Sequence, residues 1–252
     1  MGRVTTTEKD RTVETVGTDA GPARITWFPA TDATGTAGAR FVLALGHGAG
    51  GGIEARDLRA LAAALPAHGV TVALVEQPWR VAGKKLAPAP KTLDTGWRGV
   101  WPALAAAGPP VVAGGRSAGA RVACRTAAEL GARAVLALAF PLHPSPSSRL
   151  RSSRGGPIGK PEKSREDELL GTGVPTLVVQ GGNDPFGRPA EFSPGTPGTP
   201  GTYGIAEVPY GDHGFAVPKK AGTTQEEALG ILTAAVTGWL STDFRHPLPD
   251  AP

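Results

Sequence analysis

The chain has 252 residues, 40% of them hydrophobic, with a formal net charge of +4 and one cysteine. That apolar content supports one sizeable core; the lone Cys124 excludes an internal disulfide, and no run of about 18 apolar residues offers a membrane-spanning helix. The basic excess gathers at Arg149, Arg151, Arg154, Lys160, Lys163 and Arg165 without interleaved aromatics to stack on bases, which argues against nucleic acid as a partner.

The opening MGRVTTTEKDRTVETVG is polar and lacks the apolar centre of a secretion signal. With the single cysteine it predicts a cytoplasmic protein whose residues 1–20 are flexible. Apolar runs then follow at 23–28, 40–45 and 70–76. Between the last two, Leu58, Leu61 and Leu65 mark a helical stripe that Gly69 ends. Further runs occupy 110–114, 134–140, 175–181 and 204–209, and ARVACRTAAEL after the fourth run has the look of a buried helix face. Thr224 and Glu227 make a capping-box pattern ahead of Leu232, Val236, Trp239 and Leu240, and residues 243–252 read as a flexible tail. Near-continuous Val/Leu/Ala runs suit strands covered on both faces. The alternation predicts one α/β domain over 1–252, with a mainly parallel sheet and helices on both sides. The interval from Phe140 to Pro175 is too short for a large helical cap. Its basic stretch, 145–165, and the PGT repeat in 193–204 are expected as surface loops bordering an open site.

Two glycine-rich loops compete to define the chemistry. In GHGAGGG, Gly46, Gly48 and Gly51 match a dinucleotide fingerprint, with Glu76 at the end of the next strand as the ribose-binding acid. A nicotinamide-dependent oxidoreductase is therefore one reading. Against it, that fingerprint needs a helix to begin inside the motif, whereas Gly50, Gly51 and Gly52 each disfavour a helix by about 1 kcal/mol relative to alanine. A wide loop there can instead aim the Ala49 N–H at a developing oxyanion. The second loop, GGRSAG, places Ser117 at the apex of a strand-to-helix turn and offers the Ala118 N–H as the partner donor.

Taken alone, Ser117 is equally well a helix cap. A nucleophilic serine needs a histidine base and a carboxylate to orient it. GNDPFG supplies Asp184 just beyond one strand and YGDHGF supplies His213 just beyond the next. Asp212 is the poorer orienter, because adjacent residues in an extended turn point apart. His68, His143 and His246 read as structural or solvated, and His47 shapes the glycine loop or reaches the pocket. Trp79, Trp97, Phe186 and Phe215 are candidate pocket walls, and Arg116 reads as an anchor for the turn.

HGAGG, GGRSAG, QGGNDPFG and GDHGF together resemble the α/β-hydrolase superfamily over about residues 23–242. GGRSAGARVA, PLHP, GKPEK and DHGFAVPK are further similar to the small branch that includes testis-expressed protein 30 and the NSL-complex subunit-3-like proteins, itself distantly like dienelactone hydrolases. The resemblance implies a serine hydrolase with Ser117 as nucleophile, His213 as base, Asp184 as acid, and Ala49 and Ala118 as oxyanion donors. The open site expected from the short interval after Phe140 favours small or flexible esters, which His47, Trp79, Phe186 and Phe215 would meet. No metal or organic cofactor is expected, and the partner is a small-molecule ester rather than nucleic acid or membrane. A catalytically idle binding protein on the same fold is the other alternative.

Overall fold

The computed structural model describes residues 4–8, 11–31, 38–144, 164–195 and 201–242, with the backbone alone for 4–8. The strands are β1 (Val4–Glu8), β2 (Arg11–Thr18), β3 (Gly21–Phe28), β4 (Phe41–Gly46), β5 (Val70–Glu76), β6 (Val111–Arg116), β7 (Ala134–Leu138), β8 (Thr176–Gly181) and β9 (Gly204–Val208). Among the described residues these nine strands form one sheet in the order β1-β2-β3-β5-β4-β6-β7-β8-β9. From β5 to β9 every pairing is parallel, and the N-terminal three strands add an antiparallel flank. The helices are α1 (Arg56–Ala64), α2 (Pro78–Val81), α3 (Pro90–Ala105), α4 (Ala118–Thr126), α5 (Glu166–Leu170) and α6 (Gln225–Thr242).

Side chains on a strand alternate between the sheet's faces, so each central strand feeds two cores. Val42 and Ala44 pack with Trp97, Val100 and Leu104 of α3 and Ala120 and Ala123 of α4. Leu43 and Leu45 pack on the opposite face with Leu58 and Leu61 of α1 and Leu232, Val236 and Leu240 of α6. All seven apolar runs are strands of the sheet. The capping box at α6 is formed: Thr224 N–H donates to Glu227 Oε2 at 2.7 Å and Glu227 N–H to Thr224 Oγ1 at 3.1 Å. Cys124 lies on the buried face of α4, where desolvation pushes its thiol pKa up.

The expectation of a flexible N-terminus fails over 11–18. Thr12, Val13, Thr15, Val16 and Thr18 supply the β-branched content of a strand, and β2 pairs with β3 along its length. Only Glu14 of this strand is buried, where its carboxylate accepts the Trp27 indole N–H at 3.1 Å, so the segment is strand without being apolar. The tail 243–252 lies outside the described residues.

Among the described residues no large cap covers the sheet. Residues 145–163 of the interval between β7 and β8 lie outside the described residues, as do 196–200 of the PGT repeat, so the surface placement of both loops is not addressed. At the far end of the basic stretch, Arg165 turns back on the PLHP segment and donates to the carbonyls of Pro141 and His143 at 3.1 and 3.0 Å. Arg125 ties α3 to α5 by pairing with Asp94 at 2.6 Å and Glu168 at 3.3 Å.

Candidate active site

The strand β6 ends against α4 in a reversal too sharp for ordinary backbone. Ser117, between them, has φ 53° and ψ −110°, a region that L residues occupy only under constraint. The constraint is visible. Ser117 N–H donates to Leu138 O at 2.9 Å, and α4 lies so close to the end of β4 that a Cβ on Gly119 would sit 2.5 Å from Gly46 O. A Cβ on Gly115 would meet the same oxygen at 2.7 Å. Glycine is therefore required at both positions, and the serine between them is pushed out to the C-terminal edge of the sheet.

His213 and Asp184 arrive there from the loops after β9 and β8. Ser117 Oγ lies 2.9 Å from His213 Nε2, and His213 Nδ1 lies 2.8 Å from Asp184 Oδ2. A carboxylate only accepts, so Nδ1 carries a proton and the Nε2 lone pair faces the serine hydroxyl. Asp184 is buried and further fixed by donors from Phe186 N–H at 2.8 Å and the Gln180 amide at 2.9 Å. Phe186 stacks on the imidazole, with ring centroids 4.2 Å apart. Asp212 points away, as its neighbour relation implied: its Oδ1 accepts from Gly214 and Ala216 N–H at 2.7 and 2.8 Å and shapes the turn that carries His213.

Ala49 and Ala118 line one cleft together with Gly48 and Gly119, a narrow space of about 10 Å³ that is partly open to solvent. Ala118 is the first residue of α4, so its N–H has no acceptor within the helix. Trp79, Leu93 and Val122 make the apolar walls. His47 also borders the cleft, but both of its ring nitrogens are engaged. Nδ1 contacts Gly48 O at 2.9 Å, and Nε2 accepts the Gln77 N–H at 3.1 Å. Of the two readings of His47, the geometry favours the one in which it shapes the glycine loop.

Two aromatic assignments require correction. Phe215 is fully buried in the core beneath α1 and α6 rather than in the pocket, because its positive φ of 54° turns the side chain away from the turn surface. Trp97 is likewise a core residue, lying under Gly46 and against Trp101. The objection to the dinucleotide reading holds, since α1 starts at Arg56, beyond the glycine loop, and Glu76, the candidate ribose-binding acid, is paired with Arg24 at 3.1 Å. Gln180 escaped sequence reasoning, though a lone amide closing an apolar strand four residues before Asp184 was the available signal.

Burial lowers the His47 pKa from its ordinary 6.5, with the Gly48 carbonyl acting in the opposite direction. The folded state thus resists protonation more than the unfolded chain does. The stability contributed by the neutral ring is fully present above about pH 6.5 and is lost as the pH falls below that value and through the lower folded-state pKa. A proton on Nε2 would also set a donor against the Gln77 N–H. We expect the melting temperature of the wild type to fall more steeply between about pH 7 and 5 than that of His47→Gln, whose side-chain carbonyl accepts at any of these pH values. Parallel melting curves would contradict the buried neutral imidazole.

Several solved structures share this architecture. XC6422 from Xanthomonas campestris, described as an α/β serine hydrolase without lid, superposes with a TM-score of 0.63 at 17% identity, over 98% of this chain and 99% of that one. Dienelactone hydrolase from Anabaena variabilis gives 0.62 at 17% identity, over 96% and 98%. Est1E from Butyrivibrio proteoclasticus, solved with ferulic acid, gives 0.60 at 13% identity, over 90% and 99%. At such identities the likeness concerns the fold. A search of curated protein sequences found no significant match. Residues 38–241 match the family model described as alpha/beta hydrolase domain, a span that holds Ser117, Asp184 and His213, and the chain belongs to the alpha/beta-hydrolase family.

Proposed function

We propose that the protein is a serine hydrolase that cleaves small carboxylic esters through an acyl-enzyme. The observation that carries this reading is the continuous relay from Ser117 through His213 to the buried Asp184. Ser117 Oγ attacks the ester carbonyl while His213 Nε2 takes its proton, and the imidazolium so formed is stabilised by Asp184. The carbonyl oxygen, now negative, accepts from the Ala118 and Ala49 amides. His213 then protonates the departing alcohol. Water enters, gives a proton to the same nitrogen and releases the acid. The chemistry is complete with protein groups and water. The narrow apolar cleft between Trp79, Leu93 and Val122 favours a short acyl group over a long one. The spelling GGRSAGARVA supports placement in the branch that includes testis-expressed protein 30.

A fluorophosphonate probe tests the reading, since it phosphonylates serines activated in this way. The wild type is expected to label at one site, mapped to Ser117 by peptide mass spectrometry, and to turn over acetyl to butyryl esters faster than longer ones. Labelling that persists in Ser117→Ala would remove the assignment. A folded wild type that neither labels nor hydrolyses any ester would instead support an idle member of the fold.

A further inference from the structure

Arg116 is the last residue of β6 and immediately precedes the serine. Its guanidinium reaches three separate segments of the site. Nη2 donates to the backbone carbonyl of His213 at 2.9 Å. Nε lies 3.5 Å from Asp57 Oδ2 in the first turn of α1. Nη1 borders the glycine loop, 3.7 Å from where a Cβ on Gly48 would stand. We propose that Arg116, braced by Asp57, is a positioning residue that holds the His213 loop on the elbow, so that the imidazole stays within reach of Ser117. This inference rests on the hydrolase reading and adds to it a residue acting through His213.

The argument begins with Asp57. Its side chain is 0% exposed, and neither carboxylate oxygen has a hydrogen bond of ordinary geometry. Burial raises its pKa, with the Arg116 charge opposing that rise. An ion pair so placed is a poor source of stability: desolvation of both charges exceeds the attraction unless hydrogen bonds satisfy them, and apolar residues of similar volume commonly do better. The 3.5 Å separation is also longer than the roughly 2.7–2.9 Å of a tight charge-assisted bond. The ion pair therefore adds little stability to a carboxylate that the Asp57 and Leu58 backbone groups already favour in the first turn of α1. What the pair supplies is orientation. The planar fork of arginine can meet a carboxylate along one edge and a carbonyl along another, a division that a lysine ammonium on a flexible stem does not reproduce.

The His213 ring is oriented by Asp184 and Phe186, and the turn after it by Asp212. The His213 peptide is tied by Arg116 to the very strand that ends at the nucleophile. The base is thereby referenced to the serine through one side chain rather than through the width of the sheet. A displacement of the imidazole by about 1 Å is enough to lower a rate about 100-fold.

The test compares the wild type with Arg116→Lys, Arg116→Met and Arg116→Met/Asp57→Leu in the full chain. The rate and final extent of fluorophosphonate labelling, kcat, KM and melting temperature are read for each. Both single variants are expected to lose about 10- to 100-fold in kcat and in labelling rate, with KM within about two-fold and nearly every molecule labelled at the end. Arg116→Met also melts lower, because Asp57 is left buried and unpaired. Adding Asp57→Leu should restore the melting temperature and leave the rate low. If the rate returns together with stability, or if Arg116→Met labels as fast as the wild type, the positioning role is wrong while the hydrolase reading stands. A wild type that neither labels nor turns over any ester sinks the hydrolase reading, and this inference with it.

Discussion

Replacing Ser117 with alanine is expected to lower turnover of a short-chain ester by roughly 10⁶-fold, replacing His213 to do nearly the same, and the double variant to be hardly worse than either. The reason lies in the 2.9 Å contact between Oγ and Nε2. Without the imidazole the hydroxyl has no acceptor for its proton; without the hydroxyl the imidazole has nothing of consequence to deprotonate. Each deletion removes the same step, so their free-energy penalties do not add. A residual rate above that in water should survive in all three variants, since these substitutions leave the proposed oxyanion donors, the Ala49 and Ala118 backbone amides, in place. Steady-state assays normalised to folded protein read the effect. Losses that multiply would show that the two side chains act in separate steps and that the relay is only a structural hydrogen bond.

Asp184→Asn is expected to cost about 10⁴-fold in kcat. Asp184 Oδ2 accepts from both His213 Nδ1 and the Gln180 amide. An asparagine NH₂ at that place sets donor against donor. The ring relieves the conflict by moving its proton to Nε2, where it faces Ser117 and cannot accept. Asp212→Asn is the matched comparison: its Oδ1 accepts two backbone amides, and an asparagine carbonyl keeps both, so the loss should stay below about ten-fold. Comparable losses at the two positions would mean that the carboxylates share the task, and that the orienting role does not belong to Asp184 alone.

The Ser117, His213 and Asp184 cluster was legible because the fold delivers these residues in turns just beyond strands. Apolar runs marked those strands, and polar residues in glycine turns stood out against them. What escaped notice was hidden by composition. The helix α3, which sequence reasoning did not identify, carries Gly96, Gly99 and Pro102, residues that disfavour a helix interior. Two of them serve close approach: a Cβ on Gly99 would lie 2.4 Å from Thr18, and one on Gly96 would lie 2.6 Å from the Gln77 side chain. The same contact explains why β2 was missed, since its order comes from pairing with β3 and from α3 above it rather than from buried apolar side chains. Phe215 was misread because sequence proximity to His213 carries no information about the sign of φ. Arg116 was legible as an anchor, but its partners lie on α1 and on the loop after β9, a juxtaposition that only the folded chain reveals.

The glycine contacts among Gly46, Gly115 and Gly119 have a bearing on how such a protein can change over time. The location of Ser117 is fixed mainly by main chain against main chain among these glycines, with the Trp97 side chain packed beneath Gly46. The cleft walls, by contrast, come from Trp79 of α2, Leu93 of α3 and Val122 of α4, none of which takes part in that joint. Under the proposed function, what the cleft admits and where Ser117 stands are thus separable properties. Substitution at the three wall positions is then expected to change ester preference without moving the serine, which makes them the sensible sites for a library aimed at bulkier acyl groups.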